Sequence, residues 1–139
     1  MIDAEVLAKK LLDAAVPDGV TVMPDIDADA WDEFPLVTFR ISVGQAVDNH
    51  APPSAWIATL DINILDDDLD DAKALARGLY GAIWEWADPF AGKNIVEDVG
   101  SVNDIEDQSI FTRVATVEVE SKWVTQYAGS FSLTLRPSK

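Results

Sequence analysis

At 139 residues the chain is too short for two ordinary domains and long enough to bury one hydrophobic core. Ten Lys and Arg against 25 Asp and Glu leave a net charge of −15, which argues against general affinity for nucleic acid or an anionic membrane. No apolar run approaches the roughly 18 to 20 residues that span a bilayer, and the absence of cysteine excludes disulfides and thiolate metal sites.

Apolar residues at 48% and charged residues at 25% are ordinary for a soluble globular domain, so the acidity need not mean disorder. The opening MIDAEVLAKKLLDAAVPDG sets acids before its lysines and interrupts its apolar run; a signal peptide is not expected, and an intracellular origin fits. The charge is uneven. Residues 125–139 hold no acid and two bases, Arg136 and Lys139, a basic tail suited to docking on a neighbour's acidic surface.

Residues 3–16 predict a helix, with Ala4, Leu7, Leu11, Ala14 and Ala15 near the 3.6 period, Asp3 as N-cap and Pro17-Asp18-Gly19 as the stop. Residues 20–23 predict a short strand that Pro24 stops or confines to an edge. Residues 25–33 are acidic and irregular, anchored by Trp31. In 36–43, Val37, Phe39, Ile41 and Val43 share one face and Thr38, Arg40 and Ser42 the other, which predicts a strand. Residues 44–54, with Gly, Asn, His and a Pro-Pro pair, read as a long loop and so as a contact surface.

The most informative stretch is WIATLDINILDDDLDDAKALARGLYGAIWEW, residues 56–86. A strand over 55–65 sets Trp56, Ala58, Leu60, Ile62 and Ile64 on one face and Thr59, Asp61 and Asn63 on the other, a one-sided pattern typical of antiparallel sheets. A helix from about 68 to 87 carries the stripe Leu69, Ala72, Leu75, Ala76, Leu79, Tyr80, Ile83 and Trp86. Asp67 or Asp68 caps it, Asp70 and Asp71 favour its positive end, and Pro89 stops it. Residues 95–102 predict a weaker strand and 103–108 an acidic turn. Residues 110–127 form the longest extended pattern, with Phe111, Ala115, Val117, Val119 and Trp123 on one face; at that length it twists strongly or bulges. After Gly129, Phe131, Leu133 and Leu135 alternate with Ser132 and Thr134, as a last strand or, over 128–139, a C-terminal arm. The expected order is α-β-β-β-α-β-β-β, a single α+β domain with two helices on a mainly antiparallel, or mixed, sheet.

Reaction chemistry is not signalled, and the chain is not expected to be an enzyme. Asp25, Asp27 and Asp29 match the first ligand positions of an EF-hand loop, but Ala30 and Leu36 stand where Gly and Glu are needed. Starting at Asp66, with Asp68 and Asp70, puts Asp71 and Arg77 at those positions and fails in the same way. His50, the only histidine, lies in the Pro-rich loop without a nucleophile motif to serve, and reads as an exposed loop residue. There is neither GxGxxG nor GxxxxGK[ST], so no nucleotide cofactor is expected. Of the five tryptophans, Trp56, Trp84, Trp86 and Trp123 sit in or beside sheet and helix and are expected in the core, with one or two marking an interface.

The helix followed by FPLVTFRIS, then WIATLDINIL running through an acidic corner into LDDAKALARGLYGAI, then TRVATVEVESKW, resembles the tail terminator, or tail-completion, proteins of long-tailed bacteriophages, including the lambda minor tail protein U group. The resemblance spans about residues 4–123 and lies in element order and texture. It implies a non-enzymatic virion protein, assembled in the host cytoplasm, that forms a homo-oligomeric ring, commonly a hexamer, at the head-proximal end of the tail. Such a ring caps the tail-tube protein, stops polymerisation and presents the surface for a head-completion protein. DNA would cross the ring without specific binding, since an acidic lumen repels phosphate. On that reading Gln45, Val47 and His50 in the long loop, with Phe131, Leu133, Leu135 and Arg136 in the arm, are the candidate subunit interface. Asp25, Asp27 and Asp29, with Asp66, Asp67, Asp68, Asp70 and Asp71, are candidates for an acidic lumen or solvent face. The alternatives are another head-to-tail connector, such as a head-closure or adaptor subunit, and a small acidic α+β enzyme or binding module.

Overall fold

The computed structural model describes residues 2–24, 33–48, 53–119 and 122–138, with the side chains of Val117 and Val119 left aside. The expected α+β order is observed. Helix α1 (Ala4–Ala15) begins where the Asp3 carboxylate accepts the Val6 amide proton at 3.1 Å, and it buries Ala4, Leu7, Ala8, Leu11 and Leu12. Strand β1 is Thr21–Pro24, β2 Leu36–Ala46 and β3 Trp56–Asp66. Helix α2 (Leu69–Trp84) is capped by Asp68, which accepts from the Asp71 amide at 2.9 Å, and a 3-10 turn, Glu85–Ala87, extends it far enough to bury Trp86. Strands β4 (Ile95–Val96), β5 (Gly100–Val119) and β6 (Lys122–Pro137) complete the chain.

The six strands lie in the order β1-β2-β3-β6-β5-β4. The β1–β2 pair is parallel and the other pairs are antiparallel, so the sheet is mixed. Strand alternation decides which side the helices cover. Val37, Phe39, Leu60, Ile62, Phe131 and Leu133 point toward Leu7, Leu11, Leu12, Leu75, Leu79 and Ile83, forming one core. Burying each such side chain stabilises the fold by about 1.5 to 3 kcal/mol before entropic costs. On the opposite face a small cluster of Leu36, Leu65 and Val124 packs with Met23 and Phe34. Most of the rest of that face is polar, with Ser130 donating to Asp61 and Gln126 to Asn63, both at 2.8 Å, and Ile57 is an exposed apolar exception.

Two expectations change, and of the two readings left open for 128–139 the last strand is the one observed. The acidic segment 103–108 is not a turn but part of β5. The long pattern over 110–127 is not one strand: it folds back as a hairpin, with Val119 opposite Lys122. Residues 128–139 are not a free arm through 137, because β6 is an interior strand between β3 and β5. The physical reason is hydrophobic: Phe131, Leu133 and Leu135 are at most 2% exposed against this chain's own helices, and no neighbouring subunit is needed to cover them.

Candidate assembly surface

Among the described residues no group of three or more His, Cys, Asp or Glu side chains is arranged to hold a metal ion. The acidic corner instead serves the turn from β3 into α2. Asp66 is buried, and its Oδ1 accepts the Asp68 amide proton at 3.3 Å. Burial, then the hydrogen bond with Asp67, then the charges of Asp67 and Asp71 push its carboxyl up to about 6. It borders an open cleft of about 490 Å³ shared with Asp67, Asp71, Phe34 and Pro35.

This raised value has a stability consequence with a definite sign. The folded chain holds the Asp66 proton more tightly than the unfolded chain, whose value is near 3.8. The contribution therefore favours folding below about pH 4 and is lost as pH rises through about 6. Asp66→Asn removes the charge yet keeps an acceptor for the Asp68 amide. It is expected to raise stability at neutral pH by about 1 kcal/mol, a figure reduced from the full linkage value because the cleft is open to solvent. Urea unfolding midpoints should show the gain at neutral pH and its disappearance near pH 4; a loss at neutral pH would contradict it.

A second feature ties α2 to β5. Tyr80 Oη donates to Asp107 at 2.5 Å and Trp84 Nε1 donates to the other oxygen of the same carboxylate at 3.0 Å. That carboxylate, accepting the phenol proton, raises the Tyr80 hydroxyl above its ordinary value. Beside this clip lies a groove of about 360 Å³ between α2 and the β5–β6 hairpin. Tyr80, Ile110, Phe111 and Tyr127 give it an aromatic wall, and the exposed Lys73 and Arg77 give it positive charge. Phe111 stands edge-on to the buried Phe131 with ring centroids 5.7 Å apart, and Tyr80 is 6.2 Å from the same ring. The wall is thus set by the core behind it.

A third feature follows the 3-10 turn. Phe90 is 96% exposed, the most exposed of the large hydrophobic side chains among the described residues. It is held there rather than left loose. Its amide donates to Asp88 Oδ1 at 2.9 Å, the Ala91 amide donates to the Asp88 carbonyl at 3.2 Å, and Lys93 pairs with Glu85 at 2.7 Å. Gly92, at φ 68°, makes the left-handed step that closes the turn.

The sequence-derived site residues do not gather in one place. Gln45 and Val47 are exposed at the end of β2 and just after it, and Arg136 is exposed near the end of β6. Asp67, Asp68, Asp70 and Asp71 are exposed at the start of α2, whereas Asp66 is buried. His50, Asp25, Asp27 and Asp29 lie outside the described residues. Of the tryptophans, Trp86 is buried, Trp56 half-buried, Trp84 36% exposed and Trp123 62% exposed. In the sequence Pro89 reads only as a helix stop and Phe90 is given no role; a Phe between Pro and Ala-Gly is the available signal for an exposed turn aromatic. Ile110, 58% exposed, opens the extended pattern over 110–127 but is not on its predicted core face, which begins at Phe111, so the alternation gave no sign of a contact residue there.

No family model matches the sequence, and no curated protein matches it.

Proposed function

We propose that this chain is a structural subunit of the tail terminator kind: copies form a ring on the last layer of a phage tail tube, end its polymerisation and present the surface to which the head is joined. The observation that carries this reading is the unit running from β3 through the acidic corner into α2. Its sequence resembles the corresponding stretch of that family, and it contains a helix cap and a core stripe without, among the described residues, convergent reactive groups. Two further features support it. Among the described residues, β2 beyond Phe39 and β5 beyond Val102, whose amide and carbonyl are taken by Asn94, each have an unpaired outer edge, so the sheet is open to neighbours at both ends. The net charge of −15 suits a ring through which DNA passes without adhering.

The test is mass in solution. Purified protein, alone and mixed with tail-tube subunits, should give a closed oligomer in at least one condition, a hexamer being expected, and ring-shaped particles by electron microscopy. A monomer in both conditions would overturn the reading.

A further inference from the structure

Phe90 and the groove beside Tyr80 are complementary features, and Phe90 is not among the residues that line the groove. The first is an aromatic side chain almost wholly in water, on a turn held by two hydrogen bonds and an ion pair. The second is an aromatic-walled groove of about 360 Å³, roomy enough for a phenyl ring, which can meet Phe111 and Tyr127 edge to face. Charge matches as well. Lys73 and Arg77 form no ion pair with a described residue, and Asp88 stands exposed two residues before Phe90.

We infer that Phe90 of one copy inserts into the groove formed by Tyr80, Ile110, Phe111 and Tyr127 of a second copy, with Asp88 facing Lys73 and Arg77. The inference rests on the ring reading above and names the contact between neighbours. Because the two patches are different, the contact is head-to-tail: each copy offers one knob and one groove, and repetition yields a ring when the rotation closes. Fixing the turn before contact reduces the ordering cost of association. A pre-ordered aromatic anchor entering a pocket is the usual form of an interfacial hot spot. The net charge of −15 disfavours unspecific approach between copies, and Lys73 and Arg77 at the groove offer an acidic turn a place to dock.

The test uses two defective variants and their mixture. Phe90→Asp spoils the knob and leaves the groove; Ile110→Asp spoils the groove and leaves the knob. Each is expected to be monomeric under conditions where the wild type assembles, with the circular dichroism spectrum of a folded chain. Mixed, they should form a one-to-one dimer and nothing larger, since only one intact knob and one intact groove remain. Phe90→Ala should raise the concentration needed for assembly about 30-fold or more. Should Ile110→Asp unfold, Arg77→Glu replaces it as the groove variant. All are measured alone and with tail-tube subunits. If the wild type assembles but Phe90→Asp assembles equally well, or the mixture stays monomeric, this contact is wrong and the ring reading survives. A wild type that is monomeric throughout overturns both.

Discussion

Replacing Phe131 by alanine is expected to lower the unfolding free energy by about 3 to 5 kcal/mol. Phe131 is fully buried on β6, opposite Leu60 of β3 on one side and Asp107 of β5 on the other. Its ring lies 6.2 Å from Tyr80 and 5.7 Å from Phe111, so it joins α2 to both strands of the hairpin. Collapse into the vacated space would have to draw in Tyr80, which the Asp107 hydrogen bond at 2.5 Å holds in place. The cavity therefore persists, and its cost adds to the lost transfer energy. Against a total stability of about 5 to 15 kcal/mol, such a loss leaves little margin. Denaturant unfolding followed by tryptophan fluorescence measures it; a loss under about 1.5 kcal/mol would mean that the surrounding rings repack freely.

A smaller substitution with a comparable effect is Gly100→Ala. A Cβ at Gly100 would lie 2.4 Å from the Arg136 carbonyl oxygen and 2.6 Å from Ile2 Cδ1. The isoleucine tip can turn aside. The carbonyl belongs to β6, which holds β5 in register from Gly100 opposite Pro137, and moving it disturbs the first rungs of that ladder. The expected cost is about 2 to 3 kcal/mol. Gly78→Ala supplies the contrast in the same assay. Its added Cβ meets nothing within 4 Å in the middle of α2, so relief of glycine's backbone entropy should raise stability by about 0.5 to 1 kcal/mol. Equal effects at the two positions would show that helix propensity and strand crowding had been wrongly separated.

How much of this was legible in the sequence depended on whether local pattern and local structure agreed. In β3 and α2 they agree, because one face of each is buried over most of its length: Ala58, Leu60, Ile62 and Ile64 alternate, and Ala72, Leu75, Ala76, Leu79 and Ile83 recur at helical spacing, although Leu69 at the start of the helical stripe is exposed. Along β5 they do not. The register shifts between Val102 and Asp104 and again at three later points, so buried Val102 and Ile105 stand three residues apart and the period of two disappears. The acids at 104, 106 and 107 then made a strand resemble a turn. The reversal after Val119 was hidden for another reason: Glu118, Glu120, Ser121 and Lys122 include none of the Gly, Pro or Asn that mark tight turns. Trp123 was misjudged as core because β3 ends at Asp66 opposite Thr125, leaving the far end of β6 without that neighbour. The candidate contact surface was least legible, since a groove between α2 and a hairpin requires knowing which strands are neighbours. Periodicity does not encode that.

The interior position of β6 also has a consequence for how the chain is made. Trp56 pairs with Leu135 and Asp66 with Thr125, so one flank of β3 waits for a partner translated long after it. Until residues 122–137 have been synthesised, β3 keeps that flank bare, and loop-closure entropy makes the pairing late even afterwards. The β5–β6 hairpin, whose strands adjoin in sequence, can form first and arrive as a unit. Asp61 and Asn63 stand on the waiting strand's polar face, where they blunt it as a template for other chains during the interval.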